Sequence, residues 1–140
     1  VPQQVSFYSE AAEPLRFACR LVRRALASGK PLGICVPPGQ AAALDALLWG
    51  FDASEFIPHR RWDGVAPPLP GEVLLVQDAA QLPHRGLLLN LGEALPAAAF
   101  EFERVLEVVG QSPDEVQAGR VRYRAYKQSG ASLDHFTASG

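Results

Sequence analysis

The chain has 140 residues, 48% of them hydrophobic, and sets 13 lysines and arginines against 15 aspartates and glutamates for a net charge of -2. That size suits one compact domain with an ordinary core, so a single domain over residues 1–140 is expected. The acidic balance argues against a general nucleic-acid binder, and no apolar run reaches the roughly 20 residues that a membrane-spanning helix needs.

From the start, VSFYS (residues 5–9) alternates apolar and polar residues and predicts a strand. Pro14 suits a first helical turn. Leu15, Ala18, Cys19, Val22, Ala25 and Leu26 then recur at three- and four-residue spacing, with Gly29 placed to end the helix. PLGICV (residues 31–36) is a continuous apolar run of the kind buried on both faces, and AAALDALLW (residues 41–49) returns to a helical pattern. Phe56–Pro58, Val73–Val76, Leu87–Leu91 and Val105–Val109 supply further candidate strands, and residues 113–128 a last helix. WDGVAPPLPG (residues 62–71), rich in proline and glycine, reads as an extended surface loop. Strands alternating with helices predict an α/β sandwich around a mostly parallel sheet.

Such a sheet raises the question of nucleotide binding, and the turns answer it poorly. VPPGQ (residues 36–40) after the second strand has one glycine, no lysine of the phosphate-loop kind, and two prolines that cannot donate N–H groups to a phosphate. No dinucleotide-binding glycine fingerprint occurs. A nucleophile elbow is also absent, and His59, His84 and His135 lie in unrelated local contexts. Two cysteines and three histidines show no paired ligand spacing, so no metal or other cofactor is expected. Asp134 and His135 are adjacent, an arrangement that rarely lets a carboxylate orient an imidazole, and chain-end solvation is the expected role. Cys19 and Cys35 sit among apolar neighbours and fit a reducing compartment. No signal-peptide pattern is present, although an initiator or short leader ahead of Val1 is compatible with the numbering. The cytoplasm is the expected location.

Two basic stretches stand out in an acidic chain. RVRYRAYK (residues 120–127) contains three arginines, a lysine and two tyrosines with no acidic residue. On a helix Arg120, Tyr123, Arg124 and Lys127 share one arc, and Val121 and Ala125 are expected to face the sheet. A ring among guanidinium groups suits a ligand carrying both a carboxylate and an apolar group, such as a peptide C-terminus. The second stretch, Arg16, Arg20, Arg23 and Arg24, lies opposite the apolar stripe of the first helix. It reads as a solvated face or, alternatively, as a direct grip on DNA phosphates.

Three segments resemble the chi subunit family of bacterial DNA polymerase III: FACRLVRRALASGKPLGICV (residues 17–36), LDALLWGFDASEFIPH (residues 44–59) and RVRYRAYKQSG (residues 120–130). The patterns L-D-x-x-L-W, F-x-P-H and R-x-R-Y-[KR]-x-Y occur in family order. The resemblance implies a non-enzymatic adaptor with a Rossmann-like sheet, no nucleotide site and no cofactor. It further implies two partners, the acidic, phenylalanine-ended tail of single-stranded-DNA-binding protein and the psi subunit, which connects to the clamp loader. Carried onto this chain, the tail site would use Arg120, Tyr123, Arg124 and Lys127 with Trp49 and Val109 as its apolar parts. The psi surface would lie near Phe56, Pro58 and His59. The chain departs from the family pattern at Arg124 and Val116, where a family member carries lysine; the first change keeps the charge, and the second removes one cation. A hydrolase or nucleotide-using enzyme on the same fold is the alternative from another class.

Overall fold

The computed structural model describes residues 2–50 and 56–138. Its strands are β1 (Gln4–Ala11), β2 (Leu32–Cys35), β3 (His59–Arg61), β4 (Val73–Val76), β5 (Leu87–Asn90), β6 (Arg104–Gly110) and β7 (Ser132–Thr137). The helices are α1 (Pro14–Leu26), α2 (Pro38–Gly50) and α3 (Pro113–Gln128), with two short 3₁₀ turns at Ala79–Gln81 and Ala97–Glu101. The strands form one sheet in the order β3-β4-β2-β5-β6-β1-β7, and every pairing is parallel.

Parallel pairing follows from the connections, because each strand must return to the same end of the sheet through a crossover. The chain runs one way across the sheet from β1 through β2 to β3, then back from β4 to β7. A constant crossover hand therefore puts α1 and α2 on one face and α3 with the 3₁₀ turns on the other. The two cores agree. Ile34, Leu75, Leu89, Leu106 and Val108 pack with α1 and α2 through Phe17, Val22, Leu44 and Leu48. Phe7, Leu74, Leu88, Val105 and Val109 pack with Tyr126 of α3 and with Leu82, Ala99 and Phe102. Alternation along each strand sends neighbouring residues into different cores, which is why the buried strands read as unbroken apolar runs.

Several expectations are revised. Phe56–Pro58 is not a strand; β3 starts at His59, because Pro58 lacks the N–H that a ladder needs. The last strand, β7, has no apolar run to announce it. It lies at a sheet edge with one neighbour, and Ser132, Asp134, His135, Phe136 and Thr137 remain exposed. Asp134 and His135 are thus exposed, as expected, but as residues of an edge strand that point to opposite faces. On α3 the expected inward pair is revised at Val121, while Ala125 is half-buried. Val121 is 52% exposed, and the buried stripe is Gly119, Arg122 and Tyr126.

That stripe is held by a buried polar group on β6. Glu107 is 0% exposed and Arg122 3%. Arg122 Nε donates to Glu107 Oε1 at 2.8 Å, Tyr126 Oη donates to Oε2 at 3.0 Å, and Asn90 Nδ2 reaches both oxygens at 3.2 and 3.1 Å. Arg122 Nη1 also donates to the Glu93 carbonyl at 2.7 Å. Burial pushes the Glu107 carboxyl above its ordinary range, against the pull of Arg122 and its hydrogen-bond donors. Glycine at 119 lets α3 approach β6 closely, since a Cβ there would lie 2.8 Å from Val109 Cγ2.

Candidate functional site

Close approach at Gly119 and the offset of α3 toward the β1–β7 edge leave a cleft between helix and sheet. Phe7, Val109, Val116, Gly119 and Tyr123 give it apolar walls, and Ser9, Glu10, Arg120 and His135 its polar rim, around a volume of about 450 Å³. The Tyr123 ring is fixed edge-on against Phe7, with centroids 5.2 Å apart, and Phe7 meets Tyr126 in the same way at 5.9 Å. Because Tyr126 is anchored on Glu107, the helix cannot rotate without breaking that bond. Tyr123 is therefore held as a wall of the cleft while Arg120, Arg124 and Lys127 remain exposed.

Of the residues expected at one site, the structure brings together Val109, Arg120 and Tyr123, with Arg124 and Lys127 following Arg120 along the same exposed side of α3. It does not bring Trp49. That residue lies on α2, which covers the other face, and its ring is 4.6 Å from His59 and 5.3 Å from Phe56. His59 belongs to edge strand β3, five strand positions from β1; five inter-strand steps are about 24 Å. Trp49 is accordingly part of a second surface with Phe56 and His59. Trp49 is 56% and Phe56 70% exposed. His59 is a buried base for this aromatic pair. Its Nδ1 lies 2.7 Å from the Ile57 carbonyl, and its Nε2 is 2.9 Å from Asp45 Oδ1 without hydrogen-bond alignment. Pro58 is half-buried beside it.

Sequence reasoning did not place Phe7, Ser9, Glu10, Gly119 or His135 at the cleft. Alternation in VSFYS sends Phe7 and Ser9 to one face, but nothing local says which helix covers it. His135 depends on recognising β7. Its Nε2 lies 2.7 Å from Ser9 Oγ. A serine–histidine contact resembles the start of a catalytic triad, but no carboxylate among the described residues orients the ring.

The crevice at the carboxyl ends of the strands is where open α/β sheets usually hold ligands. Here it is lined by Pro14, Pro37, Glu93, Asp114 and Glu115. All three helices begin with proline, at Pro14, Pro38 and Pro113. Each proline removes a donor from a helix start, and the carboxylates repel phosphate. No group of three or more His, Cys, Asp or Glu side chains among the described residues is placed to hold a metal. Burial pushes both the Cys19 and Cys35 thiols up to about 11, which makes them core residues and not nucleophiles. On α1, Arg16 lies 3.6 Å from Glu13, and Arg20 and Arg23 are also engaged.

The sequence profile described as "DNA polymerase III chi subunit, HolC" matches residues 3–134. The chain is 36% identical to DNA polymerase III subunit chi of Pseudomonas aeruginosa, over 94% of this chain and 95% of that protein. It is 30% identical to the Haemophilus influenzae subunit chi, over 83% of this chain and 81% of that protein. Against Escherichia coli subunit chi the identity is 29%, over 87% and 84% respectively. A match across nearly the whole chain, on a sheet whose usual nucleotide crevice is walled by carboxylates and proline, shows that the chain belongs to the chi subunit family of DNA polymerase III.

Proposed function

We propose that this protein is a replication adaptor that binds the acidic, phenylalanine-ended C-terminal tail of single-stranded-DNA-binding protein in the cleft between α3 and the β1–β7 edge. The observation that carries the reading is an apolar slot, walled by Phe7, Val109 and Tyr123, with the Arg120 guanidinium at its rim. A terminal phenyl ring would enter the slot and gain on the order of 2 kcal/mol or more from burial. The terminal carboxylate would meet Arg120, and the preceding aspartates would lie near Arg124 and Lys127, where they chiefly speed encounter.

The second partner in this reading is the psi subunit, seated on Trp49, Phe56, Pro58 and His59. Two exposed rings beside an edge strand make an apolar patch of the kind that partner chains cover. Because the two surfaces belong to opposite faces of the sheet, both partners could be held at once, linking the clamp loader to coated single-stranded DNA. Operation in the cytoplasm accords with this role, and no helix among the described residues is long and apolar enough to cross a membrane. Nucleic acid would be contacted mainly through the coating protein.

The test is calorimetric titration with the acidic tail peptide and with the same peptide lacking its terminal phenylalanine. Heat is the better readout, since neither tryptophan lines the cleft. The full peptide should bind with a dissociation constant of roughly micromolar. The truncated peptide should fail, and Arg120→Ala or Arg124→Ala should weaken binding about five- to tenfold. No saturable heat with the full peptide at low salt would remove the tail-binding assignment.

A further inference from the structure

We infer that Ser9 and His135 form a second polar anchor in the cleft, one that grips a ligand carboxylate more strongly when the imidazole is protonated. The inference rests on the tail-binding reading and adds a wall to the site that the α3 residues do not provide.

His135 sits on β7 in register with Phe7 of β1, and the bond to Ser9 shows that its ring turns to the face covered by α3. It therefore lines the same cleft as Arg120 and Tyr123, from the sheet side. Ser9 Oγ and His135 Nε2 are 2.7 Å apart, so one of them must donate. When Nε2 is unprotonated, the serine hydroxyl donates and its only proton is committed to the ring. When Nε2 carries a proton, the ring donates to Oγ, and the hydroxyl proton is free to turn toward an anion in the cleft. Protonation thus changes the site twice. It adds a positive charge, and relative to the neutral ring with its proton on Nδ1 it converts Ser9 from an occupied donor into an available one.

The charged groups around this pair are few. From α3 come Arg120 at the rim and Arg124 one turn further along. β1 contributes Glu10, the one carboxylate among the described residues lining the cleft. Within β7, Asp134 points to the opposite face by strand alternation. Asp114 and Glu115 of α3 line the separate crevice at the helix starts. Glu10 is held in place by a bulge: the β1–β6 register shifts between Tyr8 and Ala11, and Glu10 takes a φ of 60°. Its backbone carbonyl accepts from Gln111 Nε2 at 3.2 Å. A carboxylate carried at the rim on this fixed backbone opposes an acidic ligand, and a protonated His135 offsets it.

The experiment is titration of the intact protein with the same carboxylate-ended peptide at about pH 5.5 and about pH 8, which bracket the ordinary histidine range. Peptide carboxylates stay ionised at both values. The wild-type protein should bind about three- to fivefold more tightly at the lower pH. His135→Gln, which keeps a hydrogen-bonding side chain but does not titrate, should bind with the same affinity at both pH values, so that the gain on acidification is lost. Ser9→Ala should reduce the gain on acidification. Equal affinity of wild type at both pH values, or an undiminished pH effect in His135→Gln, would overturn the inference and leave the tail-binding reading intact. Absence of peptide binding at either pH would overturn both. Because His135 is exposed on the edge strand β7 and Ser9 is only half-buried near the end of β1, the variants should fold normally, which circular dichroism would verify.

Discussion

Replacing Glu107 with glutamine tests the claim that the second arginine of R-x-R-Y, Arg122, is an internal strut and not a ligand contact. The substitution keeps volume but removes the charge that faces a guanidinium only 3% exposed. Breaking a buried ion pair from one side costs about 3–5 kcal/mol. Glutamine still offers one oxygen to Tyr126 or Arg122, which puts the expected loss near the lower end, about 3 kcal/mol. That is a large part of the roughly 5–15 kcal/mol by which domains are stable.

The reverse perturbation, Arg122→Met, should differ in its pH dependence. It leaves a carboxyl that burial already pushes upward and that can escape its penalty by taking a proton. A carboxyl whose folded pKa is raised contributes stability below its unfolded pKa and loses it as pH rises through the folded value. The Arg122→Met deficit should therefore be small near about pH 5 and grow toward about pH 8, whereas the Glu107→Gln deficit, carried by a permanently charged guanidinium, should not. The pair Glu107→Gln/Arg122→Met should recover most of the loss, because neither charge remains. Urea unfolding followed by circular dichroism at both pH values, at constant m-value, measures all three variants. A Glu107→Gln cost under about 1 kcal/mol, or no recovery in the double variant, would refute the buried-pair argument. The double variant should also retain tail-peptide binding, which a ligand-contacting Arg122 would not allow.

Trp49→Ala should change tail-peptide affinity by less than about twofold, because the residue belongs to the other face. The same variant should weaken capture of the psi subunit; a large loss of peptide binding instead would return Trp49 to the tail site. Cys19 and Cys35 should resist alkylation in the folded protein at about pH 8, where thiols with a pKa of about 11 are about 0.1% ionised, and both should react at once in denaturant. Since their folded pKa values are raised, their contribution to stability is present below the ordinary thiol value of 9.0 and is lost as pH rises toward about 11, which alkaline unfolding curves would register.

The sequence by itself determined the elements whose signals are local. The apolar runs at Val73–Val76 and Leu87–Leu91 hold strands because a doubly covered parallel sheet leaves them no polar face, and α3 was legible over its full length, residues 113–128. The family was also legible, since its motifs are short and linear. What tertiary structure decided is which motifs meet. The crossover hand assigns α2 and α3 to different faces, so Trp49 parts from Val109 and Tyr123 although the family pattern had joined them. Arg122 points inward because Glu107, fifteen positions earlier, waits beneath it. Ser9 and His135, separated by 126 positions, become neighbours only when an edge strand with no apolar signature pairs with β1. Helix and strand follow from periodicities along the chain; a site depends on register, handedness and charge pairing between distant segments, and those are fixed only when the sheet closes.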